Sequence, residues 1–132
     1  MRCRILIVED EWLQAESLET LLALHGHVIC GVAKDGEEAV ALARTEQPQI
    51  VMMDVKLSGR IDGVEAAEQI RRVRPLCRVI FITAYTDQRT EKRMRDVHPD
   101  AILAKPSSED DVAEAIAVAA AQVGCEPGRR RA

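Results

Sequence analysis

Five short apolar runs punctuate the chain: Ile5–Val8, Val28–Ala33, Ile50–Met53, Val79–Ile82 and Ala101–Ala104. They show little polar alternation, which is how strands buried on both faces read. Between them, apolar residues recur at the three-to-four spacing of helices that bury one side. Residues 11–24 place Ala15, Leu18, Leu21 and Leu22 on one face, and Gly26 supplies a stop. Asp35 with Glu38 makes a capping-box-like start for a helix carrying Ala39, Val40 and Ala43, and Pro48 ends that connection. Asp62-Gly63 opens a third helix with Val64, Ala67, Ile70 and Val73 in step, closed by Pro75. Residues 87–97 predict a shorter, very polar helix whose apolar face is only Thr90, Met94 and Val97. Ser107 or Ser108 caps a last helix with the stripe Val112, Ala115, Ile116, Ala119 and Val123.

The order is βαβαβαβαβα. With right-handed crossovers it predicts an α/β fold, a doubly wound parallel sheet of five strands. At 132 residues the chain suits one domain, expected over residues 1–123. Residues 124–132 lack periodicity and read as a flexible tail with three arginines.

Aromatics make up only 2% of the chain, so the core has to be aliphatic. A net charge of −4 argues against a direct nucleic-acid binder or a membrane-surface binder. No apolar stretch reaches membrane-spanning length and the N-terminus lacks a signal-peptide pattern, so a cytoplasmic location is expected. Cys3, Cys30, Cys77 and Cys125 show no CxxC spacing. They are read as reduced and structural, with three of them in or beside apolar runs.

Four of the runs end in residues suited to phosphate or a hard metal: Glu9-Asp10, Asp54, Thr83 and Lys105. In a parallel sheet those ends share the edge where open α/β folds bind ligands. Glu9, Asp10 and Asp54 repel one another unless a cation lies among them, and hard oxygen ligands suit Mg2+. A carboxylate beside that metal is also a nucleophile toward phosphorus. Lys105 supplies an ammonium and Thr83 a hydroxyl for phosphoryl oxygens. Taken singly, each residue is more often a solvated or helix-capping side chain. Asp10, for example, is placed to cap the first helix. Together they make a site for moving a phosphoryl group onto Asp54.

From residue 3 to about 123 the chain resembles a bacterial response-regulator receiver domain. The matching motifs are Glu9-Asp10, Asp54, Thr83-Ala84, Lys105-Pro106 and Asp62-Gly63. The resemblance implies a flavodoxin-like fold with strand order 2-1-3-4-5. It implies that Asp54 accepts a phosphoryl group from a sensor histidine kinase or phosphotransfer protein. Asp10, Asp54 and the backbone carbonyl of Lys56 would ligate Mg2+, with Glu9 acting through water. Thr83 and Lys105 would grip the phosphoryl oxygens, and the Lys105–Pro106 peptide would be cis. Such a domain is not an enzyme beyond its self-catalysed phosphotransfer and dephosphorylation.

Three features depart from the family pattern. The loop from Asp54 to Gly63 is one residue longer than usual, with Ser58 in place of a common proline. Ile102 stands where many receivers carry a Tyr or Phe that swings inward on activation. Ser107 replaces a frequent aromatic. The phosphorylation chemistry is untouched, but coupling through an aromatic at 102 does not operate here. Tyr85 and Lys56, each two residues past a site residue, either hinder water and slow phosphoryl loss or simply point to solvent.

No effector domain is expected after the last helix, so output is read as binding to a downstream protein through the fourth helix, fifth strand and fifth helix. Arg89, Lys92, Arg93 and Arg95 make the fourth helix basic, and Glu109, Asp110, Asp111 and Glu114 make the fifth acidic at its start; solvated faces are the simpler reading, and the other is a two-fold homodimer through residues 87–123 that pairs the patches. Trp12, just after the acids, reads equally as a reporter of Mg2+ or as packed core. Other classes fit less well. An aspartyl-phosphate phosphohydrolase wants an aspartate where Lys56 stands. A flavin binder would not place Glu9-Asp10-Glu11 in its phosphate loop. The alternative that remains is a receiver-like module that binds partners without phosphorylation.

Overall fold

A computed structural model of the chain describes residues 2–84 and 87–125. Strands β1 (Arg4–Val8), β2 (Val28–Ala33), β3 (Ile50–Met53), β4 (Arg78–Thr83) and β5 (Ala101–Ala104) alternate with five helices. These are α1 (Trp12–Leu24), α2 (Gly36–Glu46), α3 (Gly63–Val73), α4 (Gln88–Asp96) and α5 (Glu109–Val123). All strand pairings are parallel, and the order is β2-β1-β3-β4-β5. Fold class and strand order are as the sequence implies.

The continuous apolar runs follow from two-sided burial. Successive strand side chains point to opposite faces. Leu6, Val8, Val51, Met53, Val79 and Phe81 therefore meet α2, α3 and Met94 of α4 on one face. Ile5, Ile7, Ile50, Met52, Ile80 and Ile82 meet α1 and α5 on the other. A strand with helices on both sides has no polar face to show.

Helix starts are set by short acceptors. Asp62 caps α3 in a complete box with Glu65, each side chain taking the other's backbone N–H. Asp35 accepts from Glu38 N, but the Glu38 carboxylate takes the N–H of Lys34, so the box at α2 is offset by one residue. Ser108 caps α5, while Ser107 donates its hydroxyl to the Ala104 carbonyl. Glu109, Asp110 and Asp111 fill the first turn of α5, where the helix dipole favours negative charge.

One reading needs correction. The four cysteines are not all reduced: Cys3 and Cys125 form a disulfide with 5.2 Å between their Cα atoms, while Cys30 and Cys77 are free. The pairing joins residues 122 apart in sequence, so no local spacing announced it. Gly124 takes the left-handed conformation that ends α5, and Cys125 is buried. The rest of the expected tail, 126–132, lies outside the described residues.

Candidate functional site

Register brings the chemistry together. Val8 pairs with Met53, Met53 with Phe81, and Thr83 with Ala104, so β1, β3, β4 and β5 run out at one edge. The ladder then extends one residue into the site. Glu9 N–H donates to Ala33 O at 3.0 Å, Asp54 N–H to Val8 O at 3.0 Å, and Lys105 N–H to Thr83 O at 2.8 Å. The backbones of three site residues are thus fixed by the sheet itself rather than by a loose loop. The Lys105–Pro106 peptide is cis.

Glu9, Asp54 and Thr83 are the buried polar residues among those described, at 2, 5 and 3% exposure. The Lys105 ammonium donates to Glu9 Oε1 at 2.6 Å and to Asp54 Oδ2 at 3.0 Å. Carboxylate oxygens of Glu9, Asp10 and Asp54 lie within 4.8 Å of one another. Three carboxylates facing one ammonium keep a negative excess, and an all-oxygen donor set suits Mg2+ rather than a softer metal. The residues fit such an ion.

Asp10 is exposed and does not cap α1; Glu11 occupies the N-cap position, without a side-chain capping bond. Glu9 Oε2 instead accepts from the Glu11 N–H at 3.1 Å. Asp10 is thereby left to the acid group. Lys56 enters the site through its backbone N–H, which donates to Asp54 Oδ1 at 3.2 Å. Burial pushes the Glu9 carboxyl above its ordinary value despite the Lys105 hydrogen bond. For Lys105, burial is the largest influence and lowers its pKa. The bonds to Glu9 and Asp54 together outweigh it and hold the ammonium above its ordinary value.

The loop after Asp54 is closed at its ends and tied to α2 in its middle. Gly63 N–H donates to Val55 O at 2.8 Å, and Arg60 N–H donates to Glu37 Oε2 at 3.2 Å. A Cβ on Gly63 would strike the Asp54 carbonyl oxygen and stand 2.8 Å from Val55 Cα, so this close approach requires glycine. Arg93 of α4 pairs its two terminal guanidinium nitrogens with the Asp62 carboxylate, at 2.8 and 3.0 Å. Sequence reasoning placed Arg93 in a surface patch and missed this contact. Lys92 and Arg95 likewise pair within α4, with Asp96 and Glu91. Ile102 packs half-buried against the α2–α4 core. Tyr85 lies outside the described residues, and Trp12 is 70% exposed. Beside the acids, a cleft of about 550 Å³ is lined by Leu13, Leu18, Ile82 and Pro106 together with Glu9 and Lys105.

Sheet order and site together define a flavodoxin-like domain with an acid crevice at its strand ends. The chain belongs to the response regulator receiver domain family, whose model matches residues 5–117. Domains of this family are regulatory phospho-acceptors of two-component systems rather than turnover enzymes. The transcriptional regulatory protein PdtaR of Mycobacterium tuberculosis is 41% identical over 118 residues, covering 88% of this chain and 56% of PdtaR. The chain therefore spans about half the length of the curated relatives it matches. The signal receiver domain of a modulated diguanylate cyclase from Desulfovibrio desulfuricans is 36% identical with a TM-score of 0.87, covering 94% of this chain and 98% of that one. A chain of the CheX–CheY–BeF3–Mg complex from Borrelia burgdorferi is 25% identical with a TM-score of 0.79, covering 86% of this chain and 85% of its own. Among the described residues, no helix is long and apolar enough to cross a membrane.

Proposed function

We propose that Asp54 accepts a phosphoryl group from a phosphohistidine of a sensor kinase or phosphotransfer protein. The observation that carries this reading is the Lys105 ammonium held between Glu9 and Asp54 inside a three-carboxylate group. A carboxylate oxygen of Asp54 attacks phosphorus in line, and the donor imidazole leaves with the electron pair of the broken P–N bond. Asp10, Asp54 and the Lys56 carbonyl would hold Mg2+, with Glu9 acting through water. When bound there, the ion would offset charge on the transferring oxygens. Lys105 and the Thr83 hydroxyl contact the phosphoryl oxygens once they arrive. The fixed backbones at 9, 54 and 105 favour positioning over rearrangement as the source of rate.

Phosphorylation adds about one and a half to two negative charges at this edge and biases a partner-binding surface on α4, β5 and α5. The partners are a kinase or phosphotransfer protein and a downstream protein in the cytoplasm. A homodimer through residues 87–123 is part of the same reading, and light scattering with and without a phosphoryl donor tests it. The decisive experiment is intact mass after incubation with Mg2+ and acetyl phosphate. One phosphoryl adduct is expected on the wild type and none on Asp54→Ala. An unmodified wild type would overturn the reading in favour of a binding module that works without phosphorylation.

A further inference from the structure

We propose that Cys3 and Cys125 are a reversible thiol–disulfide switch that fastens the end of α5 to the start of β1. The two cysteines lie at the end of the fold away from the acid crevice, since Cys3 precedes β1 and Glu9 follows it. Both belong to the core between the sheet and the α1 and α5 layer. Their roles are unequal. Cys3 is a fixed anchor: its N–H donates to His27 Nδ1 at 3.1 Å and its carbonyl accepts from Val28 N–H at 2.9 Å. Cys125 is the movable partner. It follows the left-handed Gly124 that terminates α5, and the last turn of that helix has no basic side chain to favour its end. Val123 beside it is only half-buried. The covalent bond is therefore a principal tie at this end of α5.

In the closing step, two thiols become one disulfide and release two protons and two electrons. A low-molecular-weight disulfide such as oxidised glutathione accepts them and leaves as two thiols, by way of a mixed disulfide. Cys3 is fully buried and Cys125 nearly so, which means that exchange has to wait for the end of α5 to lift. Cys125 is the sulfur that this motion uncovers. Cys30 and Cys77 do not compete: burial raises the Cys30 thiol and pushes Cys77 up to about 12, leaving little thiolate on either.

The test equilibrates the wild-type protein at graded ratios of reduced to oxidised glutathione, then traps free thiols by acid quench and alkylation for peptide mass analysis. Cys3 and Cys125 are expected to titrate together as one two-electron couple, with Cys30 and Cys77 alkylated throughout. Hydrogen exchange on the same samples is expected to rise at least tenfold in the last turn of α5 on reduction. It should stay at the reduced level in Cys125→Ser whatever the ratio. Phosphoryl uptake is expected to be equal in both states, because the crevice is at the other edge. Three results would overturn the switch: both cysteines remaining thiols at every ratio, a bond that persists in excess reduced glutathione, or equal α5 exchange in the two states.

Discussion

The two edges of the sheet are built from the same strands and held in opposite ways. At the C-terminal edge, buried carboxylates are balanced against one lysine and leave a negative excess for a cation. At the N-terminal edge, a covalent bond and backbone contacts close the structure. Gln49, for instance, joins Arg4 to Arg78 by accepting and donating main-chain hydrogen bonds. On the phospho-acceptor reading proposed above, the end that takes up charge is kept electrostatically unsettled. The other end carries the closure. The comparison implies that covalent and steric changes act mainly on stability, whereas ionic changes at the crevice act mainly on chemistry.

The largest stability effect is expected at the closed edge. The Cys3–Cys125 bond links residues separated by 122 positions. Chain entropy for a loop of that order gives about 4–5 kcal/mol. Urea denaturation of Cys125→Ser under oxidising conditions should lose most of that, and a reducing agent should bring the wild type down to the same midpoint. Equal midpoints for oxidised wild type and variant would remove the covalent half of the comparison.

Gly63→Ala tests steric closure at the crevice. The added Cβ meets the Asp54 carbonyl and the Val55 backbone, neither of which is a flexible side-chain end. A cost of about 3 kcal/mol follows for overpacking against main chain. Because the displaced carbonyl is Asp54's own, phosphoryl uptake should fall about tenfold as well, through misplacement of the acceptor. A fully stable variant with normal uptake would show that this loop is looser than its hydrogen bonds suggest.

The contrast between edges also explains what the sequence could tell. Strand runs, helix stripes and the acids after Val8 and Met53 were legible because each depends on residues near one another in the chain. The crevice was legible because parallel register converts run ends into a shared edge. The Cys3–Cys125 pair was not, since it joins the two ends of the domain and depends on where α5 finishes. The Arg93–Asp62 contact was missed for the same reason. On a helix Arg93 belongs to a basic face, and only the packing of α4 beside α3 brings it to Asp62. Asp10 could not be assigned between helix cap and acid group until α1 was seen to begin after Glu11.

Lys105→Met separates chemistry from stability at the open edge. Removing the ammonium leaves Glu9 and Asp54 without a charged partner, at a cost of about 2 kcal/mol in the absence of divalent cation. Added Mg2+ should recover part of it. Phosphoryl uptake should fall about a hundredfold, the scale of losing one preorganised charge donor. The pH dependence carries a sign. The Lys105 pKa is raised in the folded state, so its contribution is complete below the ordinary value of 10.5 and disappears as pH rises through the folded value. Melting temperatures of wild type and variant should differ at neutral pH and converge only above 10.5. Convergence well below that would mean the ammonium is not held by the two carboxylates.

The smallest effect is expected where the open edge touches α4. Arg93→Ala removes a bidentate pair to Asp62 while keeping the α3 cap. With side chains 36 and 30% exposed, the pair is worth about 1 kcal/mol. Burial works to raise the Asp62 pKa, but Arg93 and the Glu65 N–H hold it below its ordinary value of 3.8. Its stabilisation is therefore present above 3.8 and lost as pH falls through the folded value. The gap between wild type and variant in thermal melts should close in strong acid, and α4 amides should exchange faster in the variant at neutral pH. A gap that survives acid would assign the effect to packing of the arginine stem. In that case α4 would be held by Met94 and Val97 rather than by charge, and the ionic character of this edge would stop at the crevice.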